Sequence, residues 1–226
     1  MAQLPQSLSK APVGRTRLSR EALTEHQRER LLTTATEVFA KRGFTATTVD
    51  NIVAAANIGV GSFYAHFDGK AECLLAVCER ISGEVHAQVA ASVPAGADWA
   101  DQALAGLHAF LTFVAAEPLS ARVVLIEAQT GGPEALARYG EVLEELAAFL
   151  RAGRAAAKLD PAPPPSFEEA AASGLAWLLQ GRLVRGEVDD VDLLFEEMAE
   201  VALGPYLGAK QTKARIRAFA PDAASG

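Results

Sequence analysis

The residues best suited to chemistry lie within residues 45–70, TATTVDNIVAAANIGVGSFYAHFDGK. This segment carries the hydroxyl groups of Thr47 and Thr48 and the ammonium group of Lys70. Hydroxyls, lysine side chains and the amides at a helix N-terminus are groups that bind phosphates. Gly61 lies among them and would let the backbone come close to a partner. These residue types indicate contact with a polyanion.

Apolar residues in this segment are spaced as they are on one face of a short helix. They recur at i, i+3, i+4 and i+7, which is the helical period, and they are Val49, Ile52, Val53 and Ala56. Thr47 is placed to cap this helix, with Asp50 as its third residue. Asn57 is placed to end it, because Asn tolerates left-handed backbone.

A second short helix is predicted from Val60 to about Phe67, with Gly59 as its N-cap. Ile58 can pack on Phe63 and so fix the angle at which this helix departs. Phe63 and Phe67 are four residues apart and face inward. Two helices joined by a turn of three or four residues form a helix-turn-helix, whose second helix enters the major groove of DNA.

The sequence TTVDNIVAAANIGVGSFYAHFDGKAECLLAV closely resembles the DNA-binding signature of TetR-family transcriptional regulators. FAKRGFTATT, just before it, resembles the end of that family's first helix, and the resemblance runs without gaps from about Leu31 to Val77. It implies an all-α fold with an N-terminal three-helix DNA-binding domain. It also implies a C-terminal helical domain that binds a small molecule and dimerises.

The resemblance also implies a role for each residue of the helix-turn-helix. The implied phosphate contacts are Thr47, Thr48, Tyr64, His66 and Lys70. The residues implied to lie at base edges are Val60, Gly61 and Ser62. For Tyr64 and His66, the alternative is that they complete the small core.

Two residues depart from the family pattern at the second helix. Gly59 replaces the usual Ser or Thr cap of the DNA-binding helix, and Val60 stands where a polar or basic residue is common. This helix therefore has no Arg, Lys, Asn or Gln for bidentate recognition of guanine or adenine. We expect Val60 to meet a thymine methyl group, and Ser62 and the basic N-terminal arm to supply the remaining specificity.

The N-terminal segment is expected to be a flexible basic arm over residues 1–23. Arg17 is its candidate DNA contact, since such arms track phosphates or enter a minor groove. The alternative is a merely solubilising terminus. A capping box of Thr24 and Gln27 predicts that the first helix, and with it a DNA-binding domain over residues 24–70, begins there.

The rest of the chain shows helical periodicity broken at Pro and Gly, with no period-2 strands, so about nine helices are predicted in all. A long helix is predicted after Gly69, and the resemblance implies that residues 71–207 form an effector-binding and dimerisation domain. Residues 208–226, with several Lys and Arg, are expected to be a mobile tail.

Two groups of residues in the C-terminal domain are candidates for function. Small and apolar residues on the last two predicted helices suit a homodimer interface: Ala170, Ala171, Gly174, Leu178, Leu194, Met198 and Val201. Aromatic residues with a few polar groups suit a small-molecule site: His108, Phe110, Phe113, Gln129, Tyr139 and Trp177. The alternative for both groups is ordinary core packing.

Charge and composition agree with this division. The chain has a net charge of −7, yet residues 1–70 carry 9 Lys and Arg against 6 Asp and Glu. A basic N-terminal unit on an acidic remainder favours a nucleic-acid partner for the former. Without a long apolar run or a signal peptide, we expect a cytoplasmic protein that does not enter a membrane.

Residue patterns argue against an enzyme, a metal site or a bound cofactor. The chain has no Gly-rich phosphate loop, no HExxH and no nucleophile elbow, and its four His are scattered. Cys73 and Cys78 have no His partners at ligand spacing. The expected function is a ligand-responsive regulator, a repressor released from a palindromic operator on double-stranded DNA by a largely apolar small molecule. The alternative is a helical ligand-binding or interaction module with little DNA-binding role.

Overall fold

The computed structural model describes residues 20–157 and 163–219, with side chains from residue 24 onward. Within these ranges it has ten α-helices and one 3₁₀ helix and no strand, which confirms the all-α prediction. The helices are α1 Arg20–Arg42, α2 Val49–Ala56, α3 Val60–Tyr64, α4 Lys70–Ser92, α5 Trp99–Ala116, α6 Pro118–Leu125, the 3₁₀ helix Glu127–Thr130, α7 Pro133–Ala157, α8 Phe167–Arg185, α9 Val191–Leu207 and α10 Ala209–Ala218.

The first three helices enclose a small apolar core. Phe39 of α1, Ile52 of α2 and Phe63 of α3 are each fully buried. The α2–α3 turn has the predicted left-handed residue, since Asn57 adopts φ 52° and its N–H donates to carbonyls at the end of α2. This core fixes the angle between α2 and α3, and their outer faces remain free.

Helix α4 connects the N-terminal unit to the remaining helices. Its 23 residues span about 35 Å at 1.5 Å per residue. Its buried residues lie between Cys73 and Ser82, and it packs against α1, α5, α6 and α7. Helix α6 also lies directly against α1, so the N-terminal unit contacts the C-terminal domain through α6 as well as being connected to it by α4.

The C-terminal domain is held partly by a buried carboxylate at the start of α8. Glu168 is completely buried and accepts hydrogen bonds from Arg154 Nε at 3.0 Å and from the Tyr206 hydroxyl at 3.3 Å. The hydrogen bond from Arg154 lowers the pKa of Glu168, and burial raises the pKa of Tyr206. Arg154 also donates to the carbonyls of Pro163 and Pro164, so α7, the loop and α8 are joined at one point.

The structure differs from the sequence-based prediction at both ends of the chain. Helix α1 begins at Arg20 rather than at Thr24, so the predicted arm over residues 1–23 overlaps the first helix. The predicted mobile tail over residues 208–226 contains a tenth helix, α10. Its Ile216 is buried, and its Arg215 makes a two-pronged ion pair with Asp98 at 2.7 and 2.9 Å. The Lys and Arg residues of this segment are typical of a solvent-exposed tail, but Arg215 pairs with Asp98, the N-cap of α5.

Among the described helices, none alone is long and apolar enough to cross a bilayer, although Trp99–Ala116 and Pro118–Thr130, bent by 110°, satisfy length and composition together.

Candidate nucleic-acid interface

The N-terminus of α2 is closed by Thr48. Its hydroxyl accepts a hydrogen bond from the Asn51 N–H at 3.2 Å, and the Asn51 side-chain oxygen accepts one from the Thr48 N–H at 3.0 Å. The prediction that Thr47 caps this helix was therefore wrong by one residue. Thr47 is 1% exposed, and its hydroxyl donates to the Gly43 carbonyl at 2.7 Å. Its side chain is consequently not available to a phosphate, which corrects its predicted role.

Helix α3 presents its outer face to solvent. It is shorter than predicted and ends at Tyr64, while its cap Gly59 makes no side-chain hydrogen bond. Val60 is 44% exposed and Tyr64 is 55% exposed, whereas Phe63 between them is fully buried. Gly61 and Ser62 are exposed as well. The four residues therefore form one accessible surface, named here the α3 face: Val60, Gly61, Ser62 and Tyr64.

The aromatic residues after Val60 separate into core and surface groups. The rings of Phe63 and Phe67 lie 5.6 Å apart in the core, and Tyr64 packs edge-on against Phe63 with its own ring outside. His66 is half-buried, with its ring 6.2 Å from that of Phe67. Tyr64 is therefore not needed to complete the core, which was the alternative for it.

Lys70 is directed at the turn between α1 and α2. Its ammonium group donates to the carbonyls of Phe44 at 2.9 Å, Thr45 at 3.3 Å and Thr47 at 2.8 Å. It also lies 4.4 Å from the centre of the Phe44 ring, a cation–π contact. All three donors of the ammonium group thus have acceptors within the protein. In this arrangement Lys70 organises the turn that leads into the cap of α2.

Two arginines of α1 support the same unit, and the sequence analysis did not identify them. Arg30 donates to the Ala56 carbonyl at the end of α2, at 3.3 Å. Arg28 lies over the Phe67 ring at 5.7 Å. Nothing in their spacing distinguishes them from solvated residues of an amphipathic helix. Arg17, the predicted contact of the N-terminal arm, lies outside the described residues.

Three of the residues predicted to line a small-molecule site pack against other residues of the C-terminal domain. His108 packs against the rings of Phe195 and Phe219, at 5.4 and 5.7 Å. Phe113 is buried in the core, and Phe110 packs against that core. These three residues of α5 make packing contacts, and their place in a small-molecule site stays a prediction. Gln129 is exposed, and its amide donates to the Leu125 carbonyl.

Tyr139 and Trp177 are each associated with Gln180, a residue that no sequence pattern indicated. Gln180 donates to the Tyr139 hydroxyl at 2.8 Å. It also lines an open groove of about 280 Å³ with Trp177 and other residues of α8 and with Ile126, which directly follows α6. The groove residues are Ile126, Trp177, Gln180, Gly181, Val184 and Arg185. A glutamine on an amphipathic helix carries no sequence signal for such a position.

A second cavity, of about 450 Å³, lies where α4 begins beside the start of α7. It is lined mainly by small and acidic residues: Asp68, Gly69, Ala71, Glu72, Leu75, Gly131, Glu134 and Ala135. Three carboxylates make it unsuited to an anion.

Helices α8 and α9 expose apolar side chains on their outer faces. The exposed ones are Trp177, Leu178 and Val184 of α8 and Leu193 and Val201 of α9. Ala170 and Gly174 are exposed beside them, and Ala171 is partly exposed. Leu194 and Met198 are 4% and 6% exposed. They pack in the core of the monomer, which corrects their predicted place in a dimer interface.

The two cysteines are buried free thiols on α4. Burial raises the pKa of Cys73 and of Cys78 to about 12. A thiol of such a pKa is a poor nucleophile and a poor metal ligand at neutral pH. Within the described ranges, no group of three or more His, Cys, Asp or Glu is arranged to hold a metal ion.

Comparison with known proteins finds a family match over the N-terminal unit. Residues 31–77 match the model of the bacterial regulatory proteins of the tetR family. Over 57 residues the chain is 42% identical to the uncharacterized HTH-type transcriptional regulator YerO of Bacillus subtilis, which covers 25% of this chain and 20% of YerO. Over 105 residues it is 30% identical to the HTH-type transcriptional activator FasR of Mycolicibacterium smegmatis, covering 46% and 48% of the two. The matched part of the chain thus spans 20% of the length of YerO and 48% of the length of FasR.

Solved structures match over most of the chain. A TetR-like transcriptional regulator from a Rhodococcus species aligns with 84% of this chain and 98% of its own, at 23% identity and a TM-score of 0.62. The transcriptional regulator FadR from Bacillus subtilis, solved with stearoyl-CoA, aligns with 80% and 98%, at 16% identity and a TM-score of 0.63. At these identities the likeness shows a shared fold. Residues 31–77 thus match the model of the tetR family of bacterial regulatory proteins, and the described helices share the fold of a TetR-like transcriptional regulator.

Proposed function

We propose that the protein is a ligand-responsive DNA-binding transcriptional regulator, a repressor that a small molecule releases from a palindromic operator. The observation that carries this proposal is the α3 face. It is exposed on a complete three-helix core, next to an α2 N-terminus whose cap is formed, within the segment that matches the family model. A short exposed helix with little side-chain bulk is suited to close approach to a major groove.

In the proposed complex, phosphates and bases are contacted by different residues. The N-terminal amides of α2 with Thr48, and the polar groups of Tyr64 and His66, bind phosphates. Val60, Gly61 and Ser62 lie at base edges. Lys70 contributes its charge and holds the turn before α2. Gly59 lets the backbone at the start of α3 approach DNA, and Arg17 is the proposed contact of the N-terminal arm.

We propose that the protein dimerises through α8 and α9. Their outer faces expose Leu178 and Val201, and the small residues Ala170 and Gly174 permit close helix packing. A two-fold axis through these helices would pair each face with its own copy. Such a dimer presents two α3 faces and therefore needs a palindromic site, with half-sites about 34–36 Å apart.

The proposed effector site is the groove lined by Ile126, Trp177 and Gln180, whose Gln180 amide donates to the Tyr139 hydroxyl. Its lining is mainly apolar with a few polar groups, which suits a largely apolar ligand. FadR of Bacillus subtilis was solved with stearoyl-CoA, so a long-chain acyl-CoA is a reasonable first probe. The proposed function involves no catalysis, cofactor or membrane. The proposed site of action is the cytoplasm.

The experiment is a fluorescence anisotropy titration on a duplex selected by the wild-type protein. We expect tight binding that weakens steeply with salt, because phosphate contacts release counterions. Val60→Ala should relax the preference at one symmetric A·T pair, since an alanine methyl reaches less far toward a thymine methyl. An unchanged preference in a repeat selection would remove Val60 from the base contacts. Absence of salt-dependent binding by the wild type would refute the proposed function and leave a helical ligand-binding or interaction module.

A further inference from the structure

Glu127 makes a contact between the C-terminal domain and the DNA-binding unit that no motif indicates. It lies in the 3₁₀ helix after α6 and is 7% exposed. One carboxylate oxygen accepts a hydrogen bond from the backbone N–H of Phe44 at 2.8 Å, across 83 residues of sequence. The other oxygen lies 3.6 Å from Arg122 Nε of α6. A buried carboxylate is costly unless it is paired in this way.

The peptide groups of Phe44 are held from two sides. Its N–H donates to Glu127 of the C-terminal domain, and its carbonyl accepts from Lys70 of α4. Lys70 also binds the Thr47 carbonyl, immediately before the cap of α2. Gly43 permits this arrangement: its φ of +81° favours glycine, and a Cβ there would lie 3.5 Å from the Glu127 carboxylate.

The same residue adjoins the proposed effector groove. Ile126 lines that groove and is the immediate neighbour of Glu127. A ligand that shifts the Ile126 backbone must therefore displace the start of the 3₁₀ helix as well. Between the groove and the cap of α2 the connection is continuous, through Ile126, Glu127, Phe44, Lys70 and Thr47.

We propose that Glu127 is a positioning residue for DNA binding: through the Phe44 amide it holds the turn that sets the N-terminus of α2, and through Ile126 it links that turn to the effector groove. This inference rests on the proposed function of the α2 and α3 surface. Coupling of this kind needs two sites that share one movable element. The 3₁₀ helix is that element.

The test compares two replacements of Glu127. Glu127→Met has a similar shape but no acceptor, so the Phe44 amide stays buried and unpaired. Glu127→Gln keeps a carbonyl oxygen that can accept the hydrogen bond. For Glu127→Met we expect hydrogen exchange at the Phe44 amide about tenfold faster and the Kd for the selected duplex about tenfold higher, because an unpaired buried donor is disfavoured to about that extent. For Glu127→Gln we expect both within about twofold of wild type.

Glu168→Gln is the matched control. It alters another buried carboxylate of the same domain, whose partners Arg154 and Tyr206 lie on α7 and α9, and is expected to lower stability without changing either readout. Gly153→Ala serves the same purpose if that variant fails to fold. Glu127→Ala replaces Glu127→Met if the latter fails to fold, since neither side chain can accept the hydrogen bond.

Three results would overturn the inference. One is unchanged exchange at Phe44 in Glu127→Met, and another is equal weakening of DNA binding in Glu127→Met and the control. The third is a loss in Glu127→Gln as large as in Glu127→Met. If wild-type protein binds no duplex, the proposed function fails, while exchange at the Phe44 amide still reports whether Glu127 holds the turn.

Discussion

Two glycines of α7 lie in opposite environments, and exchanging each for alanine should change stability in opposite directions. Gly153 is buried, and a Cβ there would contact the Trp99 ring, with Cε2 and Cη2 each only 2.5 Å away. Gly140 lies on the same helix with nothing within 4 Å of its Cβ position. Comparing the two alanine variants therefore separates the cost of steric overlap from the gain in helix propensity.

The Trp99 ring cannot move aside freely. Its Nε1–H donates to the Phe149 carbonyl at 3.0 Å, and its ring packs on Phe149 at 6.0 Å and on Tyr206 at 5.1 Å. Alanine gains about 1 kcal/mol over glycine in a helix interior. An added methyl group in a packed core costs about 1–3 kcal/mol, and a rigid ring at 2.5 Å favours the upper end.

We therefore expect Gly140→Ala to raise the free energy of unfolding by about 1 kcal/mol and Gly153→Ala to lower it by about 2 kcal/mol. In a chain of 226 residues that corresponds to a Tm about 2–4 °C higher for the first and roughly 4–8 °C lower for the second. Thermal unfolding followed by circular dichroism, at one protein concentration because dimerisation shifts Tm, measures both. Equal stability of the two variants would refute the packing of α7 on α5 described above.

Three further predictions concern the cap of α2, the thiols and α10. Thr48→Ala should lower the free energy of unfolding by about 1 kcal/mol and weaken DNA binding. Thr48→Ser should keep the stability and the DNA affinity of wild type, as measured by thermal unfolding and anisotropy. Equal losses in the two variants would show that the Thr48 hydroxyl does not act as the cap of α2. Cys73 and Cys78, whose pKa burial raises to about 12, should resist iodoacetamide at pH 8 in the folded protein and react in denaturant, and rapid labelling of native protein would contradict their burial. The hydrogen bond from Arg215 lowers the pKa of Asp98 below its ordinary 3.8, so this pair stabilises the attachment of α10 above pH 3.8 and the stabilisation is lost as the pH falls through the folded-state pKa. Hydrogen exchange in α10 should accelerate in that acid range in wild type but not in Asp98→Asn, and identical pH profiles would refute the link.

The helix-turn-helix could be predicted closely because its determinants are local. The apolar period of α2, the left-handed Asn57 and the inward pair Phe63 and Phe67 all follow from spacing within a few residues. The cap was misplaced by one residue, since Thr47 and Thr48 are both competent caps. What decides between them is the Thr47 hydrogen bond to the Gly43 carbonyl, which depends on how the preceding turn closes.

The C-terminal domain was predicted less well because its decisive contacts are long-range. Periodicity does not tell which side of α9 faces inward, and so Leu194 and Met198 were assigned to an outer surface. His108 is a residue type typical of ligand sites, but its ring neighbours Phe195 and Phe219 lie far along the chain. The docking of α10 rests on Arg215, which pairs with Asp98 across 117 residues, and no local pattern records that pairing.

The most direct measurement of the central claim is selection of binding sites from a pool of random duplex DNA by the full-length protein. The α3 face and a two-fold dimer predict enrichment of a palindrome whose half-site centres lie about 34–36 Å apart, bound by two chains per duplex. Substituting Tyr64 by Ala should weaken binding to every selected sequence alike, as expected for a phosphate contact. A pool that remains random after selection, or enrichment that survives deletion of residues 45–70, would contradict the account.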